Sequence, residues 1–336
     1  MKSKNIVILA IIFAVLIVLY IIQNVSTNRM AVTESTVSIV EGLNSEDIGE
    51  IRVYRPGKIN SGLHLVKSDN DWHVKSRYNA PAKVNETDKL IGELSNLRGE
   101  VRGKNQELVS DFGLADSEAV ILDITGNTGE PLSTLLLGKQ GPDYRGCFIK
   151  KKDSPMIYFT SNDLTGSFGL STDDSEPDSK KWVELKMIEF AKEELQKIKI
   201  IARNKSIELL NQIPPATGQV PDPSQAPIKE WVKGNISGGV DLEDTKVNTL
   251  VSRVVNFRAT DVANPDSAEY YGFDKSRYKA EITDPAGDVY SLLIGNKLKE
   301  DEKKYYARIL GKNIIYVIAE SGFNNLFKTP FEKKKN

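Results

Sequence analysis

Few stretches of this sequence combine the residue types and spacings that chemistry requires. Asp111-Phe112-Gly113 spells the magnesium-binding triplet of protein kinases. Phosphoryl transfer of that type also needs a glycine-rich loop, a strand lysine and an H-R-D loop upstream, and none is present. Ser276-Arg277-Tyr278-Lys279 fits S-x-x-K, in which a lysine activates a serine nucleophile, and Ser68-Asp69-Asn70 fits S-D-N. Penicillin-binding enzymes carry these two in the opposite order and add K-T-G, which Lys328-Thr329-Pro330 breaks. Ser276 also precedes a strand pattern instead of opening a helix. Both matches read as chance.

Metal ligation is no better supported. His64 and His73 are the only histidines, in adjacent strand-like runs where they could face each other across a hairpin. Sites of this kind draw three or four ligands. Asp173, Asp174, Glu176 and Asp178 lack the spacing and closing glutamate of a calcium loop and read as a solvated acidic linker. Cys147 is the single cysteine, so it forms no internal disulfide, and it fits no metal or redox spacing. No G-x-S-x-G, H-E-x-x-H, G-x-x-x-x-G-K or G-x-G-x-x-G occurs. The sequence thus assigns no catalytic, cofactor-binding or metal residue, and the expectation is a protein that is not an enzyme and holds no cofactor.

The bulk properties point away from nucleic acid. Lys plus Arg is 45 and Asp plus Glu is 46, so no basic excess is available to hold a phosphate backbone. The start of the chain is more informative. Met1-Lys2-Ser3-Lys4-Asn5 precedes residues 6–22, a run of 17 with Tyr20 as its only polar side chain. That is the lower limit for crossing a bilayer core. No small-x-small cleavage site follows Gln23-Asn24-Val25-Ser26-Thr27, and no lipid-accepting cysteine follows either. The run reads as an uncleaved signal anchor. Lys2 and Lys4 lie before it and only Arg29 close after it, which puts the short N-terminus in the cytoplasm and the bulk of the chain outside.

The elements that would position any site are written twice. Phe112-Gly113 matches Tyr271-Gly272, 159 positions on; Ile124-Thr125 matches Ile282-Thr283, 158 on. Gly138 matches Gly295, Ile157-Tyr158 matches Ile315-Tyr316, and Trp72 matches Trp231. Solenoid periods run to roughly 50 residues, so a period this long marks a duplicated domain. The second copy has Tyr270 in place of Asp111, Glu208 in place of His64 and Lys233 in place of His73. The shared plan therefore preserves none of the candidate chemistry.

Within the first copy, alternating runs predict strands at 51–54, 63–66 and 72–74. Asn85 as N-cap, with Leu90, Ile91, Leu94 and Leu97 at helical spacing, predicts a helix. Four strands follow at 119–125, 132–137, 145–150 and 156–160, the first two joined through Gly126-Asn127-Thr128-Gly129. The second copy repeats the order, with Val247, Leu250, Val251, Val254 and Phe257 on one helix face, strands at 278–283, 289–294, 304–309 and 314–318, and a Pro-rich insertion at 213–227. The fold expected is α+β: an N-terminal transmembrane helix, then two tandem copies of a mostly antiparallel sheet with one packed helix each. The boundaries read as tip and signal anchor 1–24, stalk 25–45, first repeat domain 46–170, linker and amphipathic segment 171–192, second repeat domain 193–327, and a basic, disordered tail 328–336. Most aromatic residues fall on strands and read as core; Tyr144, Tyr305 and Tyr306 are candidates for interface anchors.

This assembly resembles a bacterial envelope family defined only as a domain of unknown function. The likeness rests on Trp72, Phe112-Gly113-Leu114, Leu137-Gly138 and Ile157-Tyr158 in the first copy. In the second it rests on Trp231, Tyr271-Gly272-Phe273, Ile294-Gly295 and Ile315-Tyr316, and the stretch 182–190 also resembles the family. Members of that family are often encoded beside ABC-transporter permease and auxiliary genes of the gliding-motility type. The resemblance implies a single-pass protein of the bacterial inner membrane with its bulk in the periplasm. It implies an accessory or scaffold role, binding an envelope complex such as an ABC-type transporter and its auxiliary subunit. The alternative is a module for an envelope ligand (glycan, peptidoglycan or lipid) held in a groove between the two repeats.

Overall fold

A computed structural model describes Phe13 and residues 36–104, 108–141, 145–170, 175–213 and 229–332, without the side chains of 268–270. The anchor expected at residues 6–22, apart from Phe13, the acidic pair Asp173 and Asp174, Tyr144, most of the Pro-rich insertion and the last four residues of the tail lie outside the described residues. Among those described, no helix is long and apolar enough to cross a membrane.

Strands of the first copy are β1 (Val37–Ser38), β2 (Ile48–Tyr54), β3 (Leu63–Ser68), β4 (Asp71–Val74), β5 (Ala80–Pro81), β6 (Arg98–Gly103), β7 (Val120–Gly126), β8 (Pro131–Gln140), β9 (Cys147–Lys151) and β10 (Ile157–Thr160). Helix α1 (Val84–Ser95) lies between β5 and β6, and the single turn α2 (Leu164–Ser167) follows β10. The second copy has β11 (Lys197–Ala202), β12 (Lys205–Gln212), β13 (Glu230–Ser237), α3 (Val247–Val255), β14 (Asp261–Ala263), β15 (Tyr278–Thr283), β16 (Val289–Lys297), β17 (Lys304–Ile309), β18 (Ile315–Ala319) and α4 (Glu320–Phe327).

Two antiparallel sheets result, of ten and eight strands. The first has the order β1-β6-β10-β9-β8-β7-β2-β3-β4-β5; the second has β13-β12-β11-β15-β16-β17-β18-β14. Read from the opposite end, the second order reproduces β6-β10-β9-β8-β7-β2-β3-β4 strand for strand. The registers agree as well: Ile51 faces Ile124 in one copy as Ile198 faces Ile282 in the other. Duplication is therefore visible in connectivity and in side-chain pairing.

Strand alternation explains the burial. On β7, Val120, Leu122 and Ile124 are buried while Ile121 and Asp123 between them are half-buried. On β11, Ile198, Ile200 and Ala202 are buried in the same period of two. Helices bury one stripe each: Leu90 and Leu94 on α1, and Leu250, Val251 and Val254 on α3.

The chain divides into two compact units, residues 1–63 with 88–178 and residues 64–87 with 179–336. The β4–β5 arm thus belongs to the second unit. There Ala82 bridges Val183, the Lys83 N–H donates to the Trp182 carbonyl at 2.9 Å, and the Glu184 N–H donates to the Pro81 carbonyl at 2.8 Å. Arg77 of the same arm pairs with Asp261.

Three features depart from the sequence reading. Helix α1 starts at Val84, so Asn85 sits inside its first turn and is not its cap. The first copy has three more strands than the sequence reading, β1, β5 and β6, and the second has one more, β14. β1 lies in the stretch read as stalk, where Val37 and Ser38 pair with β6. β6 and β14 form because pairing with β10 and β18 recruits residues with little apolar alternation. Each copy also ends in a helix after its last strand, α2 or α4.

Candidate functional site

The aromatic-glycine step forms the same seat in both copies. Gly113 has φ +66° and Gly272 has φ +70°, backbone that side chains with a Cβ rarely adopt. The carbonyl just before, on Phe112 or Tyr271, accepts from the N–H of Lys139 at 2.9 Å or Asn296 at 2.7 Å. Gly138 and Gly295 let the two backbones meet: a Cβ there would stand 2.2 Å from the Phe112 oxygen or 2.0 Å from the Tyr271 oxygen. Both glycines sit in bulges, where pairing shifts between Leu137 and Gln140 and between Ile294 and Lys297. The aromatic ring then packs on the next strand, Phe112 on Phe148 with centroids 4.3 Å apart and Tyr271 on Tyr306 at 4.4 Å. This geometry holds strands together and presents no reactive group.

The other candidates are likewise committed to structure. The Ser276 hydroxyl donates to the Ile294 carbonyl at 2.6 Å, and Lys279 pairs with Glu281 at 2.7 Å. Asp69 and Asn70, with φ of 51° and 70°, form the tight turn of the β3–β4 hairpin. The hairpin register sets His73 opposite Val66 and not opposite His64. Glu176 pairs with Lys58 at 2.6 Å. Among the described residues, no group of three or more His, Cys, Asp or Glu is placed to hold a metal ion. Tyr305 stacks on Phe323 at 4.3 Å, so Tyr305 and Tyr306 both serve intramolecular contacts.

Cys147 lies on β9, fully buried, and burial pushes its thiol up to about 12. A thiol reagent at pH 8 is expected to label the folded chain more slowly than the denatured chain by on the order of a thousandfold, since the thiolate is the reacting form. Equal labelling rates in the two states would contradict this burial.

The sequence reading missed a cavity of about 290 Å³ in the second unit. Met187, Ile188 and Phe190 cover it on one side, and Ile282, Tyr290 and Ile309 from β15, β16 and β17 form the other. The covering segment is anchored by backbone bonds: the Met187 N–H donates to the Phe257 carbonyl at 3.1 Å and the Ala259 N–H to the Leu185 carbonyl at 2.8 Å. The rings of Phe190 and Tyr290 meet at 5.1 Å and 58°. Lys312 pairs with Glu189 at 2.8 Å at the rim. Burial, then the charges of Asp284 and Asp288, raise the Tyr290 phenol above its ordinary range. On β18, Tyr316 is pushed up to about 12, first by burial and then by Glu189 and Glu184. Phe190 carries no spacing signal, since the covering segment is irregular, and Tyr290 on β16 has nothing local to mark it as a cavity wall.

No curated protein and no solved structure matches this chain. A family model described as a domain of unknown function, DUF4340, matches residues 72–276, from β4 of the first copy to Ser276 just before β15 in the second. That match spans more than half of the sequence, and the chain belongs to the DUF4340 family.

Proposed function

We propose that this chain is a membrane-anchored, non-catalytic accessory or scaffold protein of the bacterial envelope. Its partner would be a membrane protein complex, an ABC-type transporter with its auxiliary subunit. The observation that carries the reading is what the repeated residues do. The aromatic-glycine seat and the bulge glycines are spent on holding strands, in geometry the two copies share, and the Ser276 hydroxyl is spent on the Ile294 carbonyl. The anchor expected at 6–22 and the resemblance to envelope proteins encoded beside transporter genes supply the location and the partner class. A duplicated sheet domain of this kind offers surface for binding.

In-cell crosslinking of the tagged chain, followed by detergent extraction and mass spectrometry, tests the reading. Recovery of a permease and its auxiliary subunit is expected. Crosslinks confined to the chain itself would overturn it.

A further inference from the structure

The groove between α3 and α4 carries a charge that its counterpart in the first copy reverses. Helices α1 and α3 align residue for residue: Leu90 and Leu94 correspond to Leu250 and Val254, all buried. Asn96 and Asn256 correspond as well, each side-chain amide donating to the carbonyl four residues back, Gly92 at 3.0 Å or Ser252 at 2.9 Å. Arg253 therefore stands where the first copy has Glu93. Glu93 is half-buried, with Lys89 at 3.9 Å. Arg253 is exposed, donates from Nη1 to the Asn325 carbonyl of α4 at 3.2 Å, and pairs with no carboxylate among the described residues. The fold thus accepts either sign of charge here, and the second copy carries an uncompensated cation.

The groove measures about 380 Å³. Arg258 also lines it; its Nη2 meets Glu184 at 3.3 Å, and Glu184 lies outside the lining. Thr249 and Ser252 add hydroxyls, and no carboxylate lines the groove among the described residues. Phe257 and Leu326, both buried, form its apolar part. Gly322 of α4 keeps it open. Its φ is not positive, and a Cβ there would meet only the Phe257 ring at 3.6 Å, an ordinary contact. Glycine weakens a helix relative to alanine, so neither torsion nor packing accounts for this one.

We propose that this groove binds a phosphate monoester with an apolar body. Guanidinium groups hold phosphate oxygens through charge-assisted hydrogen bonds, and Arg253 and Arg258 would do so here with the Thr249 and Ser252 hydroxyls beside them. The body would lie on Phe257 and Leu326, in the space that Gly322 leaves. A phosphate monoester presents more acceptor oxygens and more negative charge to this donor set than a carboxylate does. The site stands on α3 and α4 alone and does not depend on the accessory role.

Phenyl phosphate is a suitable probe. The full chain, in a maltoside detergent and phosphate-free buffer, would be titrated with it by calorimetry, with detergent alone as the blank and phenylacetate and benzylammonium in parallel. Phenyl phosphate is expected to bind about tenfold tighter than phenylacetate, and benzylammonium to give no heat. Dihexanoyl phosphatidic acid, titrated beside it, separates the sources: tighter binding than phenyl phosphate assigns a lipid headgroup, weaker binding a soluble ester, and either supports the site. Arg253→Gln should weaken phenyl phosphate about tenfold, and Arg253→Glu more. Both alter an exposed residue whose counterpart is already Glu93, so folding is not at stake. Gly322→Leu fills the groove and should abolish binding, while Gly322→Ala should leave it within about twofold. Unchanged affinity in Arg253→Glu or in Gly322→Leu would overturn the site. So would phenylacetate or benzylammonium binding as tightly as phenyl phosphate, or no detectable heat with phenyl phosphate.

Discussion

Gly138→Ala and Gly295→Ala are each expected to destabilise the protein by about 3 kcal/mol or more. Neither glycine has an unusual φ, so the cost is collision and not torsional strain. The added Cβ would stand 2.2 Å from the Phe112 carbonyl oxygen in one copy and 2.0 Å from that of Tyr271 in the other. A backbone oxygen cannot rotate aside as a side chain can. Relief requires parting the aromatic-glycine loop from the bulge, which breaks the bond from the Lys139 or Asn296 N–H. Gly92 supplies the control. It lies within α1 with nothing within 4 Å of its would-be Cβ. Gly92→Ala should therefore stabilise by roughly 0.5–1 kcal/mol through helix propensity. Chemical denaturation of the three variants checks the opposite signs. A neutral Gly138→Ala would mean that the seat does not hold the loop.

Leu94→Ala is expected to cost about 2–5 kcal/mol. Leu94 is fully buried on the stripe of α1 that also buries Leu90. Truncation loses the transfer energy of the removed methyl groups and leaves a cavity that surrounding strands fill only partly. Glu93, its neighbour, is half-buried; burial raises its carboxyl above the usual range, and the nearby Lys89 lowers it in part. Urea unfolding of Leu94→Ala beside Lys89→Ala separates the effects. The surface pair, with N and O 3.9 Å apart, should matter little against the core residue. Comparable losses in the two variants would place α1 away from the core.

The legible part of this fold is the part with period. Val120, Leu122 and Ile124 announce β7 by alternation, and Leu250, Val251 and Val254 announce α3 by helical spacing. Constant offsets between Phe112-Gly113 and Tyr271-Gly272 announced the duplication, which the matching strand orders bear out. Other elements had no such signal. The strand β6 reads R-G-E-V-R-G, and only its pairing with β1 and β10 makes it a strand. Phe323, Leu326 and Phe327 in α4 do show helical spacing, but over eight residues the pattern is too short to stand out from the strand before it. Placement of residues 64–87 in the second unit depends on long-range bonds such as those joining Lys83 and Glu184 to Trp182 and Pro81. The cavity depends on an irregular segment meeting three strands, an arrangement with no local signature.

Native mass spectrometry of the chain released directly from its own membranes is the most direct test of the accessory role. The account expects a particle containing this chain together with a transporter permease and its auxiliary subunit, dissociating into those components on activation. A solitary monomer, released intact from native lipid with no partner at any activation energy, would contradict it.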